Sequence, residues 1–247
     1  MRIAARPFFD WIDALESSVR GGGRAAGALI VGSLLLAWWL YVPIHELAHA
    51  WGCLLAGGRV TRLELGEIYG ARLLARVVPY VTVGSEYAGR LSGFDTRGSD
   101  LIYLATCALP FVLTVFVGVP LLRAVPRAKA WRRSLMLGAA VPLAFAPFVS
   151  LPGDYYEMGS ILVSRTVATF VPGFAVDRWR SDDLVELVSV LAPDARATDV
   201  AGVGASLLVA AVLALATYWS GVLVSDVGGR WLSSVQGLRS QGYRGRP

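Results

Sequence analysis

Apolar residues along this chain fall in long blocks, not in the short periods of a soluble domain. Four blocks are long enough to span a bilayer: about Ala25 to Leu55, Leu101 to Leu122, Ser134 to Gly153 and about Val203 to Val224. Each supplies about the 20 residues that a hydrocarbon core requires. The first is longer, so it is expected to tilt or to continue beyond the membrane. Ahead of them, Phe8, Trp11, Ile12, Leu15 and Val19 recur at helical spacing opposite Asp10, Asp13 and Glu16. That pattern predicts a helix over Pro7 to Val19 lying in the membrane interface. Arg20-Gly21-Gly22-Gly23-Arg24 then reads as a flexible joint.

From Arg59 to about Ser85 the period changes. Val60, Arg62 and Glu64 alternate with Thr61, Leu63 and Leu65, and a second run, Ala71 to Val83, is rich in Val, Leu and Tyr. With Gly66 and Gly70 between them, the two runs predict a β-hairpin or small sheet. Ser181 to Leu191 reads as a surface amphipathic helix, with Ser181 as N-cap and Asp182 and Asp183 in its first turn. The expected fold is mainly α and polytopic: about four transmembrane helices, with the β segment after the first. Residues 1–24 are expected to form the interfacial helix and linker, and residues 25–160 the membrane core with its β segment at 59–85. Residues 161–199 would be an extramembrane loop, and 200–247 the last span with a basic tail.

Composition agrees with a membrane protein. Hydrophobic residues make up 55% of the chain and charged residues 17%, against about 25% charged in an ordinary soluble domain. The net charge of +5 comes almost wholly from arginine, since Lys129 is the only lysine. These arginines flank apolar segments and form no basic stripe interleaved with aromatics, which argues against nucleic acid as a partner. The loop Arg123 to Arg133 carries Arg123, Arg127, Lys129, Arg132 and Arg133 with no acid, and the tail carries Arg230, Arg239, Arg244 and Arg246. Both are expected on the cytoplasmic side. Asp154 to Asp199 holds eight acids against four arginines, as expected of the opposite side. Both termini are therefore expected to be cytoplasmic. The first apolar run is expected to be retained, not cleaved as a signal. The Arg-, Ala- and Gly-rich composition points to a bacterial cytoplasmic membrane.

Chemistry concentrates in one place. Both histidines of the chain lie in His45-Glu46-Leu47-Ala48-His49, within the first span. On a helix, residues four apart share a face, so both imidazoles can reach one zinc ion. Glu46 is then placed to act as general base toward a metal-bound water. Ionisable groups at bilayer depth are costly and usually functional. A catalytic zinc site needs a third protein ligand, and with no histidine left it is an Asp, a Glu or a Cys. Asp154 is the leading candidate, because Pro147, Pro152 and Gly153 can distort the end of the third span there. Glu157 would replace it if the helix runs on, and Cys53 lies four residues after His49 on the same face. Cys53 and Cys107 both fall in apolar segments, so a disulfide is not expected.

The stretch His45 to Trp51, the turn Gly57-Gly58-Arg59-Val60, the Gly-containing β segment and an Asp at a Pro/Gly-broken later span resemble the site-2 protease family of intramembrane zinc metalloproteases. The resemblance covers roughly residues 28 to 160. It implies His45, His49 and Asp154 as zinc ligands, Glu46 as catalytic base, and peptide-bond hydrolysis in or beside the bilayer of a membrane-protein substrate, such as a single-span helix. The family pattern Asn-x-x-Pro-x-Pro-x-Leu-Asp-Gly is replaced here by Pro147 to Asp154, with no Asn and with Gly before Asp. The third ligand accordingly stays open between Asp154 and Glu157.

Other classes fit less well. A non-proteolytic, metal-binding regulator that holds a partner helix has no need of Glu46. Di-iron lipid oxidases need many histidines, and a coupled carrier would carry more charge in its spans. A zinc-dependent lipid hydrolase stays open. The β segment beside the metal helix either pairs with an extended peptide or serves as packing alone.

Overall fold

The computed structural model describes residues 3–20 and 23–242, with side chains as far as residue 230. Gly21 and Gly22 of the expected joint, and Arg244 and Arg246 of the tail, lie outside the described residues. The chain is mainly helical with one small sheet. Helix α1 covers Arg6–Val19 and α2 covers Gly23–Leu55. Strands β1 (Arg59–Leu65), β2 (Val81–Val83) and β3 (Gly89–Asp95) follow. A helical run Asp100–Arg127, here α3, leads to α4 (Ala130–Ala144), α5 (Tyr156–Phe170), α6 (Leu184–Leu191) and α7 (Ala197–Gly242).

Among the described residues, three helices are long and apolar enough to cross a membrane: α2, α3, and α7 as far as Arg230. The expected third span is different. Instead of one helix over Ser134 to Gly153, the chain breaks into α4, a short turn at Ala146–Val149, a π turn at Leu151–Tyr155, and α5. Proline supplies the reason, since it removes a backbone donor and clashes with the preceding turn. Pro142, Pro147 and Pro152 recur at five-residue intervals, and Gly153 leaves the helical range altogether (φ −107°, ψ −112°). α4 packs along α2 and α5 along α7, so the two halves of the broken helix lie against different partners. Tyr155 ties the break to α7 by donating to Thr217 Oγ1 at 2.8 Å.

The sheet is three-stranded with order β2-β1-β3. β1 is central, and its Leu63 and Leu65 are buried beneath it. A small sheet forms as expected, but 59–65 and 71–83 do not pair as an antiparallel hairpin within it. Ala71–Leu74 is a helical turn, and Val81–Val83 pairs parallel to β1, Leu63 opposite Val81. The antiparallel partner is β3, Arg59 opposite Asp95 and Glu64 opposite Arg90, with register shifts along the pair. β3 reads Gly-Arg-Leu-Ser-Gly-Phe-Asp, too polar and glycine-rich to signal a strand.

α1 forms as a helix as expected. Pro7, Asp10, Ala14 and Ser18 are buried, while Phe8 and Phe9 are exposed. Asp10, only 8% exposed, pairs with Arg6 at 2.9 Å and accepts from Tyr218 Oη at 3.1 Å. Arg123 approaches it to 3.8 Å and also pairs with Asp226 at 2.8 Å. A buried carboxylate with cations and a hydroxyl around it is satisfied, so it can face inward where an apolar pattern would place it outward. At the other end of the bundle, Asp100 holds Arg165 and Arg180, and Asp199 holds Arg178.

One smaller expectation also changes. The N-cap of α6 is Asp183, which accepts from Val185 N and Glu186 N, whereas Ser181 accepts from Asp183 N. Gly202 gives close contact to the Trp179 ring, while Gly204 meets nothing within 4 Å.

Asp10→Ala leaves Arg123 and Tyr218 facing a buried void and is expected to cost about 3 kcal/mol. Exposed Asp13→Ala should stay within about 0.5 kcal/mol of the parent. Thermal unfolding of the detergent-purified variants checks this, and equal midpoints for the two would contradict it.

Candidate metal centre

The site begins with helical spacing. His45 and His49 lie one turn apart on α2, and both are buried. Each imidazole has a partner for its Nδ1. His49 Nδ1 lies 2.9 Å from the Thr106 carbonyl oxygen on α3. A carbonyl only accepts, so Nδ1 carries the proton and Nε2 presents a lone pair. His45 Nδ1 lies 2.7 Å from the hydroxyl of Tyr41, one turn earlier on α2. The Phe111 ring stands edge-on to His45 at 5.6 Å between centroids. Gly52 makes the Thr106 contact possible, because a Cβ there would sit 3.0 Å from Thr106 Cα and collide with the Ala105 carbonyl.

With both Nδ1 atoms engaged, the two Nε2 atoms face each other at 3.1 Å. Asp154 closes the triangle. Its Oδ2 is 3.5 Å from His45 Nε2 and its Oδ1 is 3.4 Å from His49 Nε2. The three donor atoms lie within 4.8 Å of one another. Two imidazole nitrogens and a carboxylate oxygen are a donor set for zinc or a similar divalent ion, and three protein ligands leave a coordination position for water. The Nδ1 hydrogen bonds to Tyr41 and Thr106 have the outer-shell form that orients metal-bound histidines. On these grounds the residues present fit a metal ion.

The structure also separates the alternatives for the third ligand. Glu157 begins the first turn of α5, is buried (7% exposed), and accepts hydrogen bonds from Tyr103 Oη and, at 3.2 Å, from Cys107 Sγ. It is not one of the converging donors. Cys53 points away from them, toward the Arg59 carbonyl at 3.5 Å.

Glu46 lies beside the cluster, across from the sheet. A Cβ on Gly89 of β3 would be 2.9 Å from Glu46 Cδ, so the strand backbone packs directly against this side chain. His45, Glu46, His49, Asp154, Glu157 and β3 residues from Gly89 to Leu91 line one cavity of about 480 Å³. Arg90 is a cation of this lining. The carboxylate charge of Asp182, reinforced by its hydrogen bond, holds the Arg90 guanidinium above its ordinary pKa range. Tyr41, readable four residues before His45, and the Thr106 carbonyl, Gly89 and Arg90 were not singled out from sequence. Only Tyr41 carried a local signal, because the others reach the site through long-range packing.

No protein-family model matches this chain, and no curated protein or solved structure matches it either.

Tyr41→Phe removes the partner of His45 Nδ1 and is expected to weaken zinc binding about 10- to 100-fold. Competition against a chromophoric chelator measures this, and unchanged affinity would contradict the orienting role of Tyr41.

Proposed function

We propose that this protein is an intramembrane zinc metalloprotease that hydrolyses a peptide bond of a membrane-protein substrate in or beside the bilayer. One observation carries the reading: His45, His49 and Asp154 converge within 4.8 Å of one another, and Glu46 lines the same cavity. The resemblance of the His45 to Trp51 stretch to site-2 proteases supports it independently of the geometry.

A zinc ion held by His45, His49 and Asp154 would supply a Lewis acid and a water of lowered pKa. Glu46 takes one proton from the attacking water and returns it to the departing amine nitrogen, so the hydrolysis balances in protons. Tyr41 and Thr106 keep the imidazoles turned with Nε2 toward the reacting centre. A helical substrate must unwind before cleavage, because its carbonyls are already hydrogen-bonded. β1 covers one edge of β3 and the other edge borders the cavity, so β3 is suited to hold an unwound segment by strand addition.

The proposed topology has four passes, with the broken segment from α4 to α5 completing the set begun by α2, α3 and α7. The arginine-rich 123–133 loop, packed beside α1, would face the cytoplasm. The acidic end, with Asp177, Asp182 and Asp183, would face the opposite compartment.

Glu46→Gln is the discriminating variant. It should abolish cleavage of a reconstituted single-span substrate while retaining zinc at the level of the parent. Cleavage at the parental rate by Glu46→Gln would refute the proteolytic mechanism, and a function that survives the substitution would favour a regulator that merely binds a partner helix.

A further inference from the structure

The segment between α5 and α7 is fastened at two points and spans the gap between them with one tie. At its start, Arg180 makes two hydrogen bonds to Asp100, at 3.0 and 3.1 Å, and the Trp179 carbonyl accepts from Tyr156 Oη at 2.9 Å. At its end, Asp199 receives Arg196 N at 3.0 Å and the Arg178 guanidinium at 2.5 and 2.6 Å. Between these anchors, residues 181–195 make hydrogen bonds among themselves. Among the described residues, the single side-chain bond from this stretch to the remainder of the protein joins Asp182 Oδ2 to Arg90 Nη2, at 2.6 Å. Leu187 is its one buried residue.

This lightly held stretch adjoins the metal centre. Asp182 and Asp183 form part of the wall of the cavity that holds His45, Glu46, His49 and Asp154. The Asp182 carbonyl faces Gly153, where a Cβ would lie 3.8 Å from it. The stretch therefore backs directly onto the break that carries Asp154. Its tie reaches Arg90 on β3, whose cavity edge is the one free for strand addition.

We propose that residues 181–195 form a lid over the cavity, latched to β3 by the Arg90–Asp182 pair, which an extended substrate segment must displace. The proposal rests on the cavity being the reaction site assigned above. The pair is half exposed, at 45% and 51%. Such a pair contributes at most about 1 kcal/mol, which suits a latch that opens in normal operation. Elements that move to admit a substrate are drawn from the least stable parts of a fold. Opening the latch removes the neutralising carboxylate from Arg90 and leaves that guanidinium facing the cavity.

The chain carries its own reporter, because Cys107 lines the same cavity and Cys53 is the only other cysteine. In the full-length Cys53→Ala protein, the rate at which a hydrophilic methanethiosulfonate reagent modifies Cys107 reads access to the cavity. Arg90→Ala and Asp182→Ala should each raise that rate about two- to fivefold, the range that an exposed ion pair supports. The reversed pair, Arg90→Asp with Asp182→Arg, should bring it back to the parental rate. Arg72→Ala, which breaks a more exposed pair with Glu67 in the turns between β1 and β2, should leave it unchanged. Single variants that label at the parental rate would overturn the lid. So would a reversed pair that stays fast, or Arg72→Ala acting as strongly as Arg90→Ala. The labelling needs neither metal nor turnover. Faster labelling without cleavage in any variant would keep the lid and remove the protease, whereas cleavage with uniform labelling would do the reverse.

Discussion

The candidate metal centre depends on the break in the helix between α4 and α5. A continuous helix from α4 to α5 would carry the Asp154 side chain wherever its register happened to point. Because Gly153 leaves the helical range between two prolines and α5, the Asp154 carboxylate instead meets both imidazoles of α2. The backbone groups freed at such a break need partners in an apolar surround. A π-type bond from Tyr155 N to the Ser150 carbonyl at 3.1 Å supplies one of them, and the Tyr155 hydroxyl anchors the turn to α7.

Hydrogen bonds around the centre support that meeting. Tyr41 and the Thr106 carbonyl use up the outer imidazole nitrogens, so that only the inner ones remain to bind. Tyr103 and Cys107 occupy Glu157 and keep it apart from the donors. The sheet closes the arrangement from the side, with Gly89 against Glu46. At the far end of the bundle, the Asp10 cluster joins α1, α3 and α7, and α3 carries the Thr106 carbonyl toward its other end.

Much of the site was legible in the sequence, because its strongest signal is local. Two histidines one helical turn apart, with a glutamate between, need no tertiary information to be read as a face. Asp154 was legible as the acid that follows a run of prolines. The continuity of the third span was not, since hydropathy counts apolar residues and is blind to where proline interrupts their hydrogen bonds. β3 was missed for a different reason. Its residues carry little strand propensity, and its place is set by pairing with β1 some 25 to 35 residues away. The burial of Asp10 on α1 was not legible, because Arg123 and Tyr218, which help to satisfy it, lie far from it in sequence.

The most direct test of the account is the zinc content of the detergent-purified protein, measured for the parent and for Asp154→Ala and Glu157→Ala. Three protein ligands predict about one zinc per chain, lost in Asp154→Ala and kept in Glu157→Ala. A parent that takes up no metal after zinc is resupplied, or a loss confined to Glu157→Ala, would contradict the site described.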